Sequence, residues 1–174
     1  MIISVEQAKK FIKTNETDEV LEVKLQALEL LIRKYTNNNF QNRNIRFKCQ
    51  SINGELNLST PLLKVGDNIE ISQSVFNDGL YEIKEINGTS IKLDQELIDE
   101  TNMLITKVVY PLDVQIGVVN LLKWDLENRD KVGIASESIS RHSVTYFNME
   151  GDNSSIGYPK SLVGFLKPYM KARF

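Results

Sequence analysis

The hydrophobic residues of this chain change their period twice, and that switch limits the folds open to it more than any other feature. Leu21, Leu25, Leu28, Ile32 and Tyr35 fall at alternating steps of four and three, one stripe of an amphipathic helix. Ala27 and Leu31 widen the stripe, whereas Lys24, Glu29, Arg33 and Lys34 fall beside or opposite it and read mostly as solvated. From about Ile45 to Val109 apolar residues alternate with polar ones, the period of half-buried strands. After Pro111 the helical spacing returns.

The boundaries carry their own signals. Ser4 with Gln7 three residues later has the pattern of a capping box, so a short helix opens the chain, with Val5, Ala8, Phe11 and Ile12 on its buried face. Thr14-Asn15-Glu16-Thr17 interrupts it, and Thr17 or Asp18 is placed to cap the second helix, which ends at Thr36 and the Asn37-Asn38-Asn39 run. Six short strand patterns follow: 45–49, 55–58, 68–71, 80–86, 90–93 and 103–109. Asn53-Gly54, Gly66-Asp67, Asn77-Asp78-Gly79 and Asn87-Gly88 punctuate them. Pro111 suits the first turn of a third helix carrying Val114, Val118, Leu121, Leu122 and Trp124 to Leu126, and Gly133 breaks it after Asp130. Ser143 to Phe147 looks strand-like, Met149 to Gly157 reads as a polar loop, and Pro159 opens a last helix with Leu162, Phe165, Leu166 and Tyr169 on one face.

The implied fold class is α+β: a small α-helical bundle core of three to four helices with an inserted antiparallel β-barrel or sandwich-like domain. The helical core takes residues 1–44 and 110–174 and includes a C-terminal tail; the inserted β-domain takes residues 45–109. Helices as short as the first two are marginal alone, so they are expected to pack on the third.

Composition narrows the function. The 174 residues, 41% hydrophobic and 25% charged, describe a globular chain of ordinary size. A formal charge of −2 gives no global attraction to nucleic acid or to an anionic membrane. The β segment is acidic, with six basic residues against ten acidic over positions 45 to 107. The N-terminus has neither a basic region nor a long apolar run, so no signal peptide is expected. No stretch approaches the roughly 18 apolar residues of a membrane span.

Material for catalysis is sparse. His142 is the sole histidine, and neither Ser138 nor Ser161 sits in a nucleophile elbow. One histidine and one cysteine match no zinc pattern, and Cys49, within an apparent strand, reads as a structural thiol. Asp94, Glu96, Asp99 and Glu100 cluster without the spacing of a calcium loop and read as a solvated connection; Asp125, Glu127 and Asp130 read as a helix face. Phosphate-binding glycine loops are missing. No catalytic residue, metal or cofactor is therefore expected.

The C-terminus differs in kind. Lys160, Lys167, Lys171 and Arg173 carry the segment 160–174 to +4 with no acid, interleaved with Phe165, Tyr169 and Phe174. One reading is a final helix with cations at its C-terminal end; another is an anchor for a partner, projecting beyond Pro168.

The ending Tyr158-Pro159-Lys160-Ser161-Leu162-Val163-Gly164-Phe165-Leu166-Lys167-Pro168-Tyr169-Met170-Lys171-Ala172-Arg173-Phe174 resembles the terminus of head-tail connector proteins of long-tailed bacteriophages. These are also called head-completion or adaptor proteins. The stretch Ser136-Glu137-Ser138-Ile139-Ser140-Arg141-His142-Ser143-Val144-Thr145-Tyr146 is similar to the segment that precedes it in that family. The opening, a short helix, a polar break and a long helix ending Tyr35-Thr36-Asn37, is similar to the family's start. The likeness covers residues 1 to 40 and 111 to 174 and departs from the compact family pattern at the β segment. It implies a virion protein assembled in the host cytoplasm: a subunit of a ring, usually twelvefold, docked beneath the portal protein at the head-tail interface. The ring would also meet tail-terminator proteins and extend a channel through which double-stranded DNA passes without being held. The resemblance implies portal or neighbouring-subunit contacts for Tyr169, Met170, Lys171, Arg173 and Phe174, and for Arg141 and His142 before them.

Two other classes are open. A nucleic-acid-binding module would use the basic C-terminal segment and the β-barrel, against the negative charge of that barrel. A hydrolase would have to be built around His142.

Overall fold

A computed structural model of the chain describes residues 1–131, 136–139, 142–145 and 153–172, with 136–139 and 142–145 described by their backbone. The chain divides into two compact units, Met1–Asn38 with Tyr110–Phe174, and Asn39–Val109.

In the first unit α1 (Val5–Lys9) starts on a complete capping box: the Ser4 side chain accepts from the Gln7 amide while Gln7 reaches back to the Ser4 amide. Helix α2 (Asp18–Thr36) is capped by the Thr17 side chain, with Asp18 and Glu19 in its first turn and Arg33 and Lys34 in its last, the arrangement that suits the helix dipole. It ends where Asn37 turns left-handed at φ 50°, a conformation asparagine tolerates better than most residues. Its inward stripe, Leu21, Leu25, Leu28 and Ile32, is buried. Helix α3 (Leu112–Asn128) buries Val114, Val118, Val119, Leu121 and Leu122, and α2 packs against it. A turn of 3₁₀-helix (Arg129–Lys131) follows, then the hairpin β7 (Ser136–Ile139) and β8 (His142–Thr145) and the short pair β9 (Ser154–Ser155) and β10 (Tyr158–Pro159). Helix α4 (Lys160–Val163) runs into a 3₁₀-helix, Gly164–Tyr169.

The second unit is a closed antiparallel barrel. Its strands are β1 (Gln41–Ile52), β2 (Glu55–Asn57), β3 (Asn68–Ser72), β4 (Gly79–Asn87), β5 (Ser90–Leu93) and β6 (Glu100–Val108). They pair in the order β1-β2-β5-β4-β3-β6, and β6 closes on β1. Alternate residues fill the interior: Ile69 and Ile71, Ile91 and Leu93, Met103 and Ile105, joined by Leu56, Ile83, Leu63 and Leu97. Each such side chain contributes about 1.5–3 kcal/mol through burial. Between β1 and β2 the pairing of Ile52 with Glu55 leaves a two-residue loop, and both of its residues, Asn53 and Gly54, have positive φ. That is the turn whose twist matches a hairpin.

This architecture corrects the expected helical bundle core with an inserted β-domain. Helix and strand are near parity, about 36% and 31%, and the strands close into a six-stranded barrel of their own. Among the described residues the helices number four, but α1 and α4 are single turns of five and four residues. Only α2 and α3 are long enough to make a helical layer. The physical reason lies in the ends of the chain. Beyond Lys10 the polar Thr14–Thr17 stretch cannot extend α1 as an apolar stripe, and Phe11, expected on its buried face, is exposed. Pro168 withholds a backbone donor and the last segment tightens to 3₁₀ instead of continuing as an α-helix.

Candidate functional site

The sequence points to the C-terminal segment and the stretch before it. The segment is anchored at its start by a cluster on α3. Trp124 and Tyr158 meet edge to face with ring centroids 5.4 Å apart, and the Arg129 guanidinium lies 4.9 Å from the Trp124 centroid and 4.8 Å from that of Tyr158. Arg129 Nε donates to Asp125 Oδ1 at 2.7 Å, Tyr158 Oη donates to Asp125 Oδ2 at 2.6 Å, and Arg129 Nη1 donates to the Gly157 carbonyl at 3.0 Å. Burial first, then the Asp125 carboxylate, pushes the Tyr158 hydroxyl well above the usual phenol range.

The far end is tied to the end of α2. The Lys171 amide donates to the Thr36 carbonyl at 2.8 Å, the Asn37 side-chain amide to the Ala172 carbonyl at 2.8 Å, and that of Asn38 to the Tyr169 carbonyl at 3.1 Å. Tyr169 Oη stands 2.8 Å from both oxygens of Asp113, and this hydrogen bond raises its pKa. Residues 169–172 are therefore held along the first unit and do not project as a tail beyond Pro168. Their backbone is tied at these points, whereas the side chains of Lys160, Lys167, Pro168, Met170 and Lys171 are exposed.

Of the expected partner-binding residues, Tyr169, Met170 and Lys171 share this segment. Arg173, Phe174 and Arg141 lie outside the described residues. His142 opens β8, paired with Ile139 across the hairpin.

Two features were not read from the sequence. Glu29, expected to be solvated, is 5% exposed and accepts from Tyr110 Oη at 2.5 Å, with the Met1 amino group 3.4 Å from its other oxygen. Burial and the adjacent carboxylate drive the Tyr110 pKa upward. The charged Glu29 falls within the inward arc of α2, and its partner lies 81 residues away, so no local signal marks the pair.

The second missed feature is the outer face of α2. Val20, Val23 and Leu30 are exposed, Val23 at 65% and Leu30 at 55%, and Ala27 lies outward with them. Their steps of three, four and three are the spacing of a coiled-coil seam. The helix is thus apolar on two sides, one buried within its unit and one open, and the open seam runs on into exposed Lys34. The spacing is visible in the sequence, but a stripe with no partner inside the chain looks the same as a scatter of surface residues.

A surface depression of about 470 Å³ is lined by Lys9, Ile12, Lys13, Thr14 and Asn15, with Lys9 ion-paired to Asp18. Among the described residues no group of three or more His, Cys, Asp or Glu could hold a metal ion, and no helix is long and apolar enough to cross a membrane. No protein-family model matches the chain, and no curated protein is significantly similar to it.

Proposed function

We propose that the chain is a non-enzymatic assembly subunit, a head-tail connector of a tailed bacteriophage that forms a ring beneath the portal protein and extends the DNA channel toward the tail. One observation supports this reading above the others: α2 carries an outward apolar stripe, Val20, Val23, Ala27 and Leu30, in addition to its buried one. A contiguous apolar face left open to water marks a surface that another protein covers. A ring subunit needs such faces because each copy must meet two neighbours. The resemblance of residues 136–146 and 158–174 to connector proteins supplies the biological setting.

The nucleic-acid-binding alternative draws less support from the geometry. Phe165 packs against Gly117, and the Tyr169 hydroxyl is taken by Asp113. Phe165 and Tyr169 are thus engaged by α3, where base stacking would require open faces.

Electron microscopy of the protein mixed with portal rings of the same virus tests the proposal. An added ring of density beneath the portal is expected, and it should vanish for Val23→Asp with Leu30→Asp, whose helical circular dichroism stays intact. Bare portals at saturating wild-type protein would reject the reading.

A further inference from the structure

One end of the barrel is built as a rigid surface with apolar side chains turned outward. The loop 73–78 joins β3 to β4, and its geometry is fixed from several directions. Glu100 accepts from Ser74 Oγ and from the Val75 amide, both at 2.6 Å. Ser74 Oγ accepts from the Asn77 amide at 2.6 Å, and Asp78 Oδ1 accepts from the Ser74 amide at 2.9 Å. Buried Asn77 then exchanges two hydrogen bonds with Ile98, at 2.8 and 2.9 Å, which joins this loop to the one spanning 94–99. That second loop is in turn joined to the β1–β2 turn, since Asp99 accepts from the Asn53 and Gly54 amides and Ser51 Oγ donates to the Ile98 carbonyl.

On this framework Val75 is 77% exposed and Phe76 66%, with Ile98 and Ile52 also exposed. A valine and a phenylalanine held outward by so many bonds lose little freedom on docking, which is the property of an interface anchor. The surrounding charge is of one sign. Loops 73–78 and 94–99 with Glu100 carry Asp78, Asp94, Glu96, Asp99 and Glu100 and no lysine or arginine.

We infer that this end of the barrel docks the basic C-terminal segment, Lys160–Lys171, of a second copy of the chain. The inference rests on the reading of the chain as a self-assembling subunit and names how its copies meet. Charge complementarity selects the occupant. Residues 153–172 hold Lys160, Lys167 and Lys171 and no acid, and beside the exposed lysines stand exposed Pro168 and Met170. Both partners are pre-formed, because residues 169–172 are fixed to the end of α2. Other occupants fit worse. The outer stripe of α2 continues into exposed Lys34 but offers only that one cation on its seam, fewer than the C-terminal segment. A nucleic acid would be repelled by the five carboxylates. Because the two surfaces differ, the contact runs head to tail, the kind that closes into a ring when its rotation permits.

Two single-cysteine proteins in a Cys49→Ser background, Phe76→Cys and Met170→Cys, provide the test. Both changes fall on exposed side chains, and placing them on separate chains removes any bond within one molecule. Mixed under mild oxidation, they are expected to form the 76–170 disulfide about tenfold over either symmetric product. Glu96→Lys and Lys171→Glu should each abolish that excess, and mixing the two reversed chains should restore it. Oligomers seen by sedimentation with no preferred 76–170 bond would overturn this contact and leave the assembly reading in place. Protein that forms no such bond and also leaves portal rings bare would overturn both.

Discussion

Phe165 lies against the bare Cα of Gly117: a Cβ added there would stand 2.2 Å from Phe165 Cζ. Helix α3 contains a glycine at this point because the C-terminal segment crosses it without room for a methyl group. Gly117→Ala sets a gain in helix propensity of about 1 kcal/mol against overpacking of about 1–3 kcal/mol. Overpacking should win, lowering the denaturant midpoint, and Phe165→Leu in the same chain should recover part of the loss.

Tyr110 and Glu29 make a second close pair, buried between α2 and the start of α3. Tyr110→Phe leaves a buried carboxylate without its hydroxyl donor and should cost about 1–3 kcal/mol. The pair also sets an alkaline limit. Burial first, then the charge on Glu29, holds the folded pKa of Tyr110 above its unfolded value. The stability it carries is complete below about pH 10 and declines as pH rises further, because the unfolded chain releases the proton first. Tyr158 adds in the same direction. Chemical denaturation between pH 8 and 11 should show this fall, smaller in Tyr110→Phe.

Glu100 sets an acid limit on the barrel loop. Its hydrogen bonds from Ser74 Oγ, then from the Val75 amide, hold its carboxyl below the usual range. The ordering it provides is present above the unfolded carboxylate pKa and is lost as pH falls through the lower folded value. Amide protection at Val75 and Asn77, taken relative to the intrinsic exchange rate, should fall in acid, and Glu100→Gln should show the lowered protection already at neutral pH.

Cys49 is half-buried on β1 against the barrel core, and burial pushes its thiol up to about 11 from an ordinary value of 9.0. That leaves about a hundredfold fewer thiolates at a given pH than a free cysteine holds. Reaction with a thiol reagent at pH 8 should be slow in the native protein and rapid in denaturant.

Asn38 ties the end of α2 to the C-terminal segment through the Tyr169 carbonyl. Asn38→Ala should cost about 1 kcal/mol, and faster proteolysis near residue 170 with an unchanged barrel would place the loss there. Equal loosening of the barrel would contradict this.

What could be read from the chain alone follows the range of the interactions involved. The capping box at Ser4 and Gln7, the buried stripe of α2 and the Asn53-Gly54 turn are local, and short-range rules find them. Strand β1 begins at Gln41, four residues before Ile45, because its polar start is held by pairing with Val108 at the far end of the unit. The same holds for the candidate site. The composition of the basic segment is visible in sequence, but its attachment to Thr36, Asn37 and Asp113 depends on contacts more than fifty residues apart. Helical spacing puts Ala27 beside the inward stripe, but it joins the outward seam, which is exposed and so carries no core signal.

The barrel closes when β6 pairs with β1. Closure leaves no row of unpaired amides and carbonyls along a sheet edge, the surface through which crowded β-proteins join into open-ended aggregates. Any neighbour that meets this barrel can add no strand to it and must contact its side chains and loops. Such contacts can be tuned by single substitutions.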